Sequence, residues 1–156
     1  MARIAATGEW TFRVQAPIQH VYNFFAEPTL VRELLEGVDS LVSLGDGCVR
    51  WVLKEKIEKG IRFQGDYTVM YRGNSVDHVH WHGLAGNMGN EGDVWLTTTA
   101  DGDTEIRYRE MVEPDLPVTS IMARLMQPIV ERELHAELGA FLTRVKARFG
   151  VNDAAP

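Results

Sequence analysis

The final long stretch, residues 118–149, constrains the fold more than any other. Apolar residues recur at Val118, Ile121, Met122, Leu125, Met126, Ile129, Val130, Leu134, Leu138, Phe141, Leu142, Val145 and Phe149. That is the spacing of one apolar stripe along a helix of period 3.6. Charged residues such as Arg124, Glu131, Glu137 and Lys146 mostly fall off the stripe. At ~1.5 Å per residue the helix would run on the order of 45 Å, longer than packing alone requires in one domain of 156 residues. It needs a broad surface to lie on. Pro128 removes one backbone donor inside it, so a kink or a break is expected near Gln127. The segment before that point is expected to be less firmly held, to flank a cavity and to gate it.

The rest of the chain can supply that surface. Residues 9–15 alternate, with Trp10, Phe12 and Val14 on one side, as a half-buried strand does. Pro17 and Pro28 then bound two short helical patterns ending at Gly37. From there the period is two. Residues 38–44 form a strand, Gly45-Asp46-Gly47 a hairpin turn, and Val49, Trp51 and Leu53 mark the next strand. The most regular strand spans residues 61–72, with Ile61, Phe63, Tyr67, Val69 and Tyr71 inward. Strands also follow at 75–82, 93–100 and 104–113, and the glycine-rich stretch 83–92 reads as a mobile hairpin loop. Short turns throughout predict an antiparallel meander. The expected fold class is α+β: a seven-stranded curved antiparallel sheet wrapped around the long C-terminal helix, with two short helices after strand 1 and an internal cavity. Residues 1–150 read as a single ligand-binding domain and 151–156 as a flexible tail.

Totals narrow the function classes. Hydrophobic residues at 45% and charged residues at 24% suit a globular protein with a full core. A net charge of −6 without a basic patch argues against nucleic acid. Cys48 is the one cysteine, so neither an internal disulfide nor a multi-cysteine metal site can form. No apolar run reaches the ~18–20 residues of a membrane span, so membrane contact is at most transient, and a cytoplasmic location is expected. No phosphate-binding, dinucleotide, zinc-protease or serine-hydrolase motif is present, and no cofactor is expected. Either a monomer or a homodimer is compatible with the sequence.

The opening Phe12-Arg13-Val14-Gln15-Ala16-Pro17-Ile18-Gln19-His20-Val21-Tyr22-Asn23-Phe24-Phe25-Ala26-Glu27-Pro28, with the order of elements after it, resembles the START/polyketide-cyclase superfamily, also called SRPBCC or helix-grip proteins. Leu35-Glu36-Gly37-Val38-Asp39-Ser40-Leu41 is similar to a stretch in the branch typified by the G subunit of carbon monoxide dehydrogenase, departing at Glu36, where that branch commonly carries proline. The resemblance implies a deep cavity between sheet and C-terminal helix that holds an apolar or partly polar small molecule. Activities in the superfamily range from lipid or quinone carriage through hormone sensing to polyketide cyclisation or dehydration. No catalytic residue is common to it, so none is carried over.

Inward positions of the strands and the helix stripe supply the candidate ligand contacts: Trp51, Leu53, Phe63, Tyr67, Val69, Trp95, Tyr108, Met122, Leu125, Met126 and Ile129. Singly, each is as consistent with core packing; as a group with two methionines they make an adaptable apolar surface. Glu55 and Glu110 fall on the inward parity of their strands. Glu55 lies near the turn at 58–60 and is expected to reach water. Glu110 is either a buried carboxyl of raised pKa or a strand-end group paired with Arg107 or Arg109. If buried, it contacts the ligand or moves protons, with Tyr108 and Tyr67 beside it. His78, His80 and His82 share one strand face with ~7 Å spacing. Val79 and Trp81 take the inward parity, so the histidines should face outward, and no metal site is assigned to them.

Overall fold

The computed structural model describes residues 1–150. The tail at 151–156 lies outside the described residues. The chain runs β1 (Ala2–Arg3), β2 (Ala6–Val14), α1 (Ile18–Phe25), α2 (Pro28–Glu33), β3 (Val38–Gly45) and β4 (Cys48–Leu53). It continues through β5 (Lys56–Glu58), β6 (Ile61–Phe63), β7 (Asp66–Gly73), β8 (His78–Gly86), β9 (Met88–Thr98), β10 (Thr104–Leu116) and α3 (Ser120–Phe149).

All pairings among these strands are antiparallel. The main sheet has the order β1-β10-β9-β8-β7-β4-β3, with β2 also on β10. β10 is long enough to pair with β9 along one edge and with both β2 and β1 along the other. Its alternation does the sorting: Thr104, Ile106, Tyr108, Val112 and Leu116 are buried on the concave face, and Arg107 is exposed on the other. The β3–β4 turn carries Gly45, Asp46 and Gly47 at φ of 88°, 54° and 82°, a conformation that glycine reaches without strain.

α3 is one unbroken helix through Pro128, so the expected break near Gln127 is absent. Thr119 caps it by accepting from the Met122 amide at 3.2 Å. Beside the proline, the Gln127 side chain donates to the Ala5 carbonyl at 2.6 Å, and two turns later His135 Nε2 meets the Thr7 carbonyl at 3.2 Å. The helix therefore rests on β2, and its buried residues Met126, Leu134, Leu138, Phe141 and Val145 form the core with that edge of the sheet. α1 closes one end: Val21, Tyr22, Phe24 and Phe25 are buried, and the Tyr22 hydroxyl accepts from the Ser75 amide at 2.8 Å.

Three details differ from the sequence reading. The main sheet has eight strands rather than seven, because Ala2–Arg3 adds a short strand alongside β10. The regular run at 61–72 is interrupted at Gln64 and Gly65, leaving β5 and β6 as a separate two-stranded hairpin. Asn87 stitches the interruption, accepting from the Asp66 amide at 2.8 Å and donating to the Gln64 carbonyl at 2.8 Å. The glycine-rich stretch 83–92 is not a loop. β8 runs to Gly86 and β9 starts at Met88, with only Asn87 between them.

Candidate functional site

Because α3 rests on β2, it stands away from β4, β7 and β8 across the sheet's concavity. A cavity of about 700 Å³ fills the gap. This is within the range of small-molecule sites. Aromatic side chains dominate its inner wall, among them Trp51, Tyr67, Tyr71, Trp81, Tyr108 and Phe141. Tyr108 lies 5.8 Å from Trp81 and 6.1 Å from Phe141, centroid to centroid. These rings come from β4, β7, β8, β10 and α3, and each occupies the inward parity of its element.

One polar cluster interrupts this wall. The Tyr108 hydroxyl donates to Glu110 Oε1 at 2.5 Å, and Asn90 Nδ2 approaches Glu110 Oε2 at 3.4 Å. Asn90 is itself fixed, since Trp81 Nε1 donates to its Oδ1 at 2.7 Å. Gly92 makes room for that tryptophan: a Cβ there would fall inside the Trp81 ring. Glu110 keeps part of its surface open, but it opens onto the cavity rather than the exterior. Burial pushes its carboxyl up from 4.5 to about 7, against the pull of the Tyr108 and Asn90 donors, and the Glu137 charge adds to the rise. Burial, reinforced by Glu110, raises the Tyr67 and Tyr108 hydroxyls well above their usual value. The expected alternative, a pairing of Glu110 with Arg107 or Arg109, is not made, since both take the other parity of β10. Arg107 is on the opposite face of β10, bonded to Glu9 at 2.6 Å.

The mouth lies between α3 and the β5–β6 hairpin. Lys56 on β5 bridges to Glu133 at 3.3 Å and to Glu137, both on α3. Arg144 donates to the Leu34 carbonyl at 2.7 Å and pairs with Glu36 at 3.5 Å. Glu55 is at the rim and pairs with Arg62 at 3.3 Å.

Of the candidate contacts, Trp51, Leu53, Phe63, Tyr67, Tyr108, Glu110, Met126 and Ile129 line the cavity. Four do not. Val69 is on the concave face but is packed with Val49, Trp51 and Tyr67. Trp95 is on the convex face, stacked on His78 at 5.6 Å with the Arg107 guanidinium above it at 4.7 Å. Met122 and Leu125 point away from the cavity, with exposures of 39% and 66%. Ala123 and Met126 are the buried residues of that turn, because the face of α3 that meets the sheet passes through them and not through the larger neighbours. The segment before Pro128 thus does not cover the cavity with Met122. Asn90, Trp81 and Tyr71 also line the cavity; strand alternation places Tyr71 and Trp81 inward without naming them as ligand contacts, and Asn90 is missed. A buried indole N–H needs an acceptor, and Asn90, on the same parity as Gly92 and Val94, is the available signal.

His78, His80 and His82 face outward. Asp93 Oδ1 accepts from His78 Nε2 at 2.8 Å and from His80 Nδ1 at 2.9 Å, and His80 stacks on His82 at 5.7 Å. Among the described residues, no three metal-ligating side chains form a group able to hold an ion. No helix there is long and apolar enough to cross a membrane.

Solved structures share this architecture at low sequence identity. TTHA0849 from Thermus thermophilus is similar with a TM-score of 0.69 and 16% identity, covering 93% of this chain and 96% of that one. A START superfamily protein from Mycobacterium smegmatis has a TM-score of 0.69 and 12% identity over 92% and 96% of the two chains. The Zhui aromatase/cyclase from Streptomyces sp. R1128 has a TM-score of 0.62 and 16% identity over 92% and 95%. At these identities the likeness concerns the fold, which is the helix-grip fold. Among curated proteins none matches the chain. Residues 11–145, from β2 to near the end of α3, match the family of CoxG, the G subunit of carbon monoxide dehydrogenase, and the chain belongs to that family.

Proposed function

We propose that the protein binds an apolar or amphipathic small molecule, of the lipid, quinone or polyketide-like kind, between the sheet and α3. The observation that carries this reading is the cavity itself: about 700 Å³ of largely aromatic and aliphatic wall with one polar cluster at its floor. Apolar surface in the ligand is removed from water there, and the Glu110–Tyr108–Asn90 group orients its polar end. The fold shared with a START superfamily protein supports the same reading. Native mass spectrometry of protein purified from its own host, followed by solvent extraction, tests it. A bound organic molecule is expected. A cavity that is consistently empty under those conditions would overturn the reading.

A second reading has its own observation. A carboxyl poised at about 7 and hydrogen-bonded to a tyrosine at 2.5 Å suits proton transfer near neutral pH. An enzyme of the cyclase or dehydratase kind would use Glu110 to take and return a proton, with Tyr108 and Tyr67 holding the substrate oxygen, while the walls enforce its folded shape. The extracted ligand decides between the two. Incubated with fresh protein, it is recovered unchanged from a carrier and converted by an enzyme, and Glu110→Gln abolishes the conversion.

A further inference from the structure

The polar end of the ligand is constrained by the charges that surround the cavity. At the mouth, the acidic groups are Glu36, Glu55, Glu58, Glu133 and Glu137. The basic ones are Lys54, Lys56 and Arg144. Two of these three cations are already neutralised: Lys56 by Glu133 and Glu137, and Arg144 by Glu36 and the Leu34 carbonyl. Lys54 is exposed to water. Among the described residues, Lys54 is therefore the one lining cation without an acidic partner; it sits on the exposed rim and does not act on Glu110 at the floor.

The floor is more restrictive. Glu110 is met by Tyr108 from its own strand, Asn90 from β9, Tyr67 and Tyr71 from β7, and the Glu137 carboxylate from α3. Trp81 from β8 acts on it only through Asn90. Every one of these groups is neutral or acidic. Among the described residues, the acid is thus held by neutral donors, with no cation facing it.

We infer that the cavity floor sorts ligands by the charge of the polar end placed against it: it takes neutral or cationic groups and refuses carboxylates. This inference rests on the proposed reading of the cavity as a ligand site. A ligand hydroxyl or carbonyl exchanges hydrogen bonds with the Glu110–Tyr108 pair. An ammonium gains the missing counter-charge, with the aromatic faces of Trp81, Tyr71 and Tyr108 around it. A ligand carboxylate about 5 Å from ionised Glu110 meets like charge in a medium of effective dielectric ~20, a penalty on the order of 100-fold in affinity. In mildly acidic solution the two carboxyls can share one proton, and the penalty shrinks.

The test uses three probes of one chain length: decanol, decylamine and decanoate, each below its micelle concentration. Each displaces the neutral fluorophore N-phenyl-1-naphthylamine from the wild-type protein at about pH 8. Decanol and decylamine are expected to bind at least tenfold more tightly than decanoate, and the gap between decanol and decanoate to close to about threefold or less in Glu110→Gln. Decanoate binding as tightly as decanol to the wild type overturns the charge filter while leaving the ligand site standing. Failure of the fluorophore and all three probes to bind overturns the ligand-site reading and the filter with it. A gap that survives unchanged in Glu110→Gln removes Glu110 as its cause and overturns the assignment.

Discussion

Replacing Glu110 by glutamine should change how stability depends on pH. In the folded protein the carboxyl is raised from 4.5 to about 7. The folded state therefore holds this proton more tightly than the unfolded chain does. The stabilisation from protonation is fully present below about pH 4.5 and is lost as pH rises through about 7. At ~1.36 kcal/mol per pH unit this window is worth up to about 3 kcal/mol. Water inside the cavity lowers that figure, because it partly solvates the ionised form. Glutamine cannot ionise, so the variant lacks this loss. Urea unfolding of both proteins from about pH 4.5 to 8 isolates the effect, since the remaining groups are common to both and cancel. The stability difference, variant minus wild type, should grow by up to about 3 kcal/mol across the window. In thermal melts this corresponds to roughly 6–12 °C for a domain of this size. The variant need not be more stable in absolute terms, because glutamine keeps only one accepting oxygen for the two donors, Tyr108 and Asn90, that meet Glu110. Only the slope is diagnostic. A difference that stays flat from pH 4.5 to 8 would show Glu110 titrating as an ordinary surface carboxyl, and the low-dielectric floor would have to be abandoned.

The same geometry sets four further outcomes. Tyr108→Phe removes the 2.5 Å donor that favours the ionised form of Glu110, so the titration midpoint in the same pH series should move further upward. Gly92→Ala forces Trp81 out of its place; a loss of about 1–3 kcal/mol is expected in denaturant unfolding, with reduced binding of the naphthylamine probe. Met126→Ala should cost about 2–5 kcal/mol, whereas exposed Leu125→Ala should stay within about 0.5 kcal/mol, a contrast readable in paired melts. Lys56→Ala should alter stability by less than about 1 kcal/mol, since all three partners of the bridge are well exposed. It should nonetheless speed probe release in stopped-flow fluorescence, because the tie between the β5–β6 hairpin and α3 is gone.

The order of elements is legible because each depends on local chemistry: period-two strands, hairpin glycines, prolines ahead of α1 and in α2, and one long apolar helix. Where sequence reasoning fails, a neighbour distant in sequence makes the decision. The size of Trp95 argues for an inward position, but it shares parity with Asp93 and Glu91, while Val94 and Leu96 are the buried positions. Its indole is covered from outside by His78 and Arg107, which come from adjacent strands. Met122 and Leu125 stand out as large apolar residues, yet the contact of that turn is made through small Ala123 and through Met126. The interruption at Gln64 and Gly65 depends on Asn87, more than twenty residues later. Of the polar floor, Glu110 and Tyr108 are legible from strand parity. Asn90 is hidden in a glycine-rich stretch that looks like a loop until Gly92 is seen to lie under Trp81.

The β5–β6 hairpin pairs with no strand of the main sheet. The floor residues Asn90, Tyr108 and Glu110, in contrast, are in β9 and β10, within the longest ladder among the described residues. On the proposed reading, access and recognition are consequently carried by parts of the chain that can diverge separately. Insertions, deletions or charge changes in the hairpin can retune how fast and how large a molecule passes without disturbing what the interior hydrogen-bonds. If the cavity is the ligand site proposed above, grafting a hairpin from one member of the family onto another exchanges selectivity for size while keeping selectivity for head group.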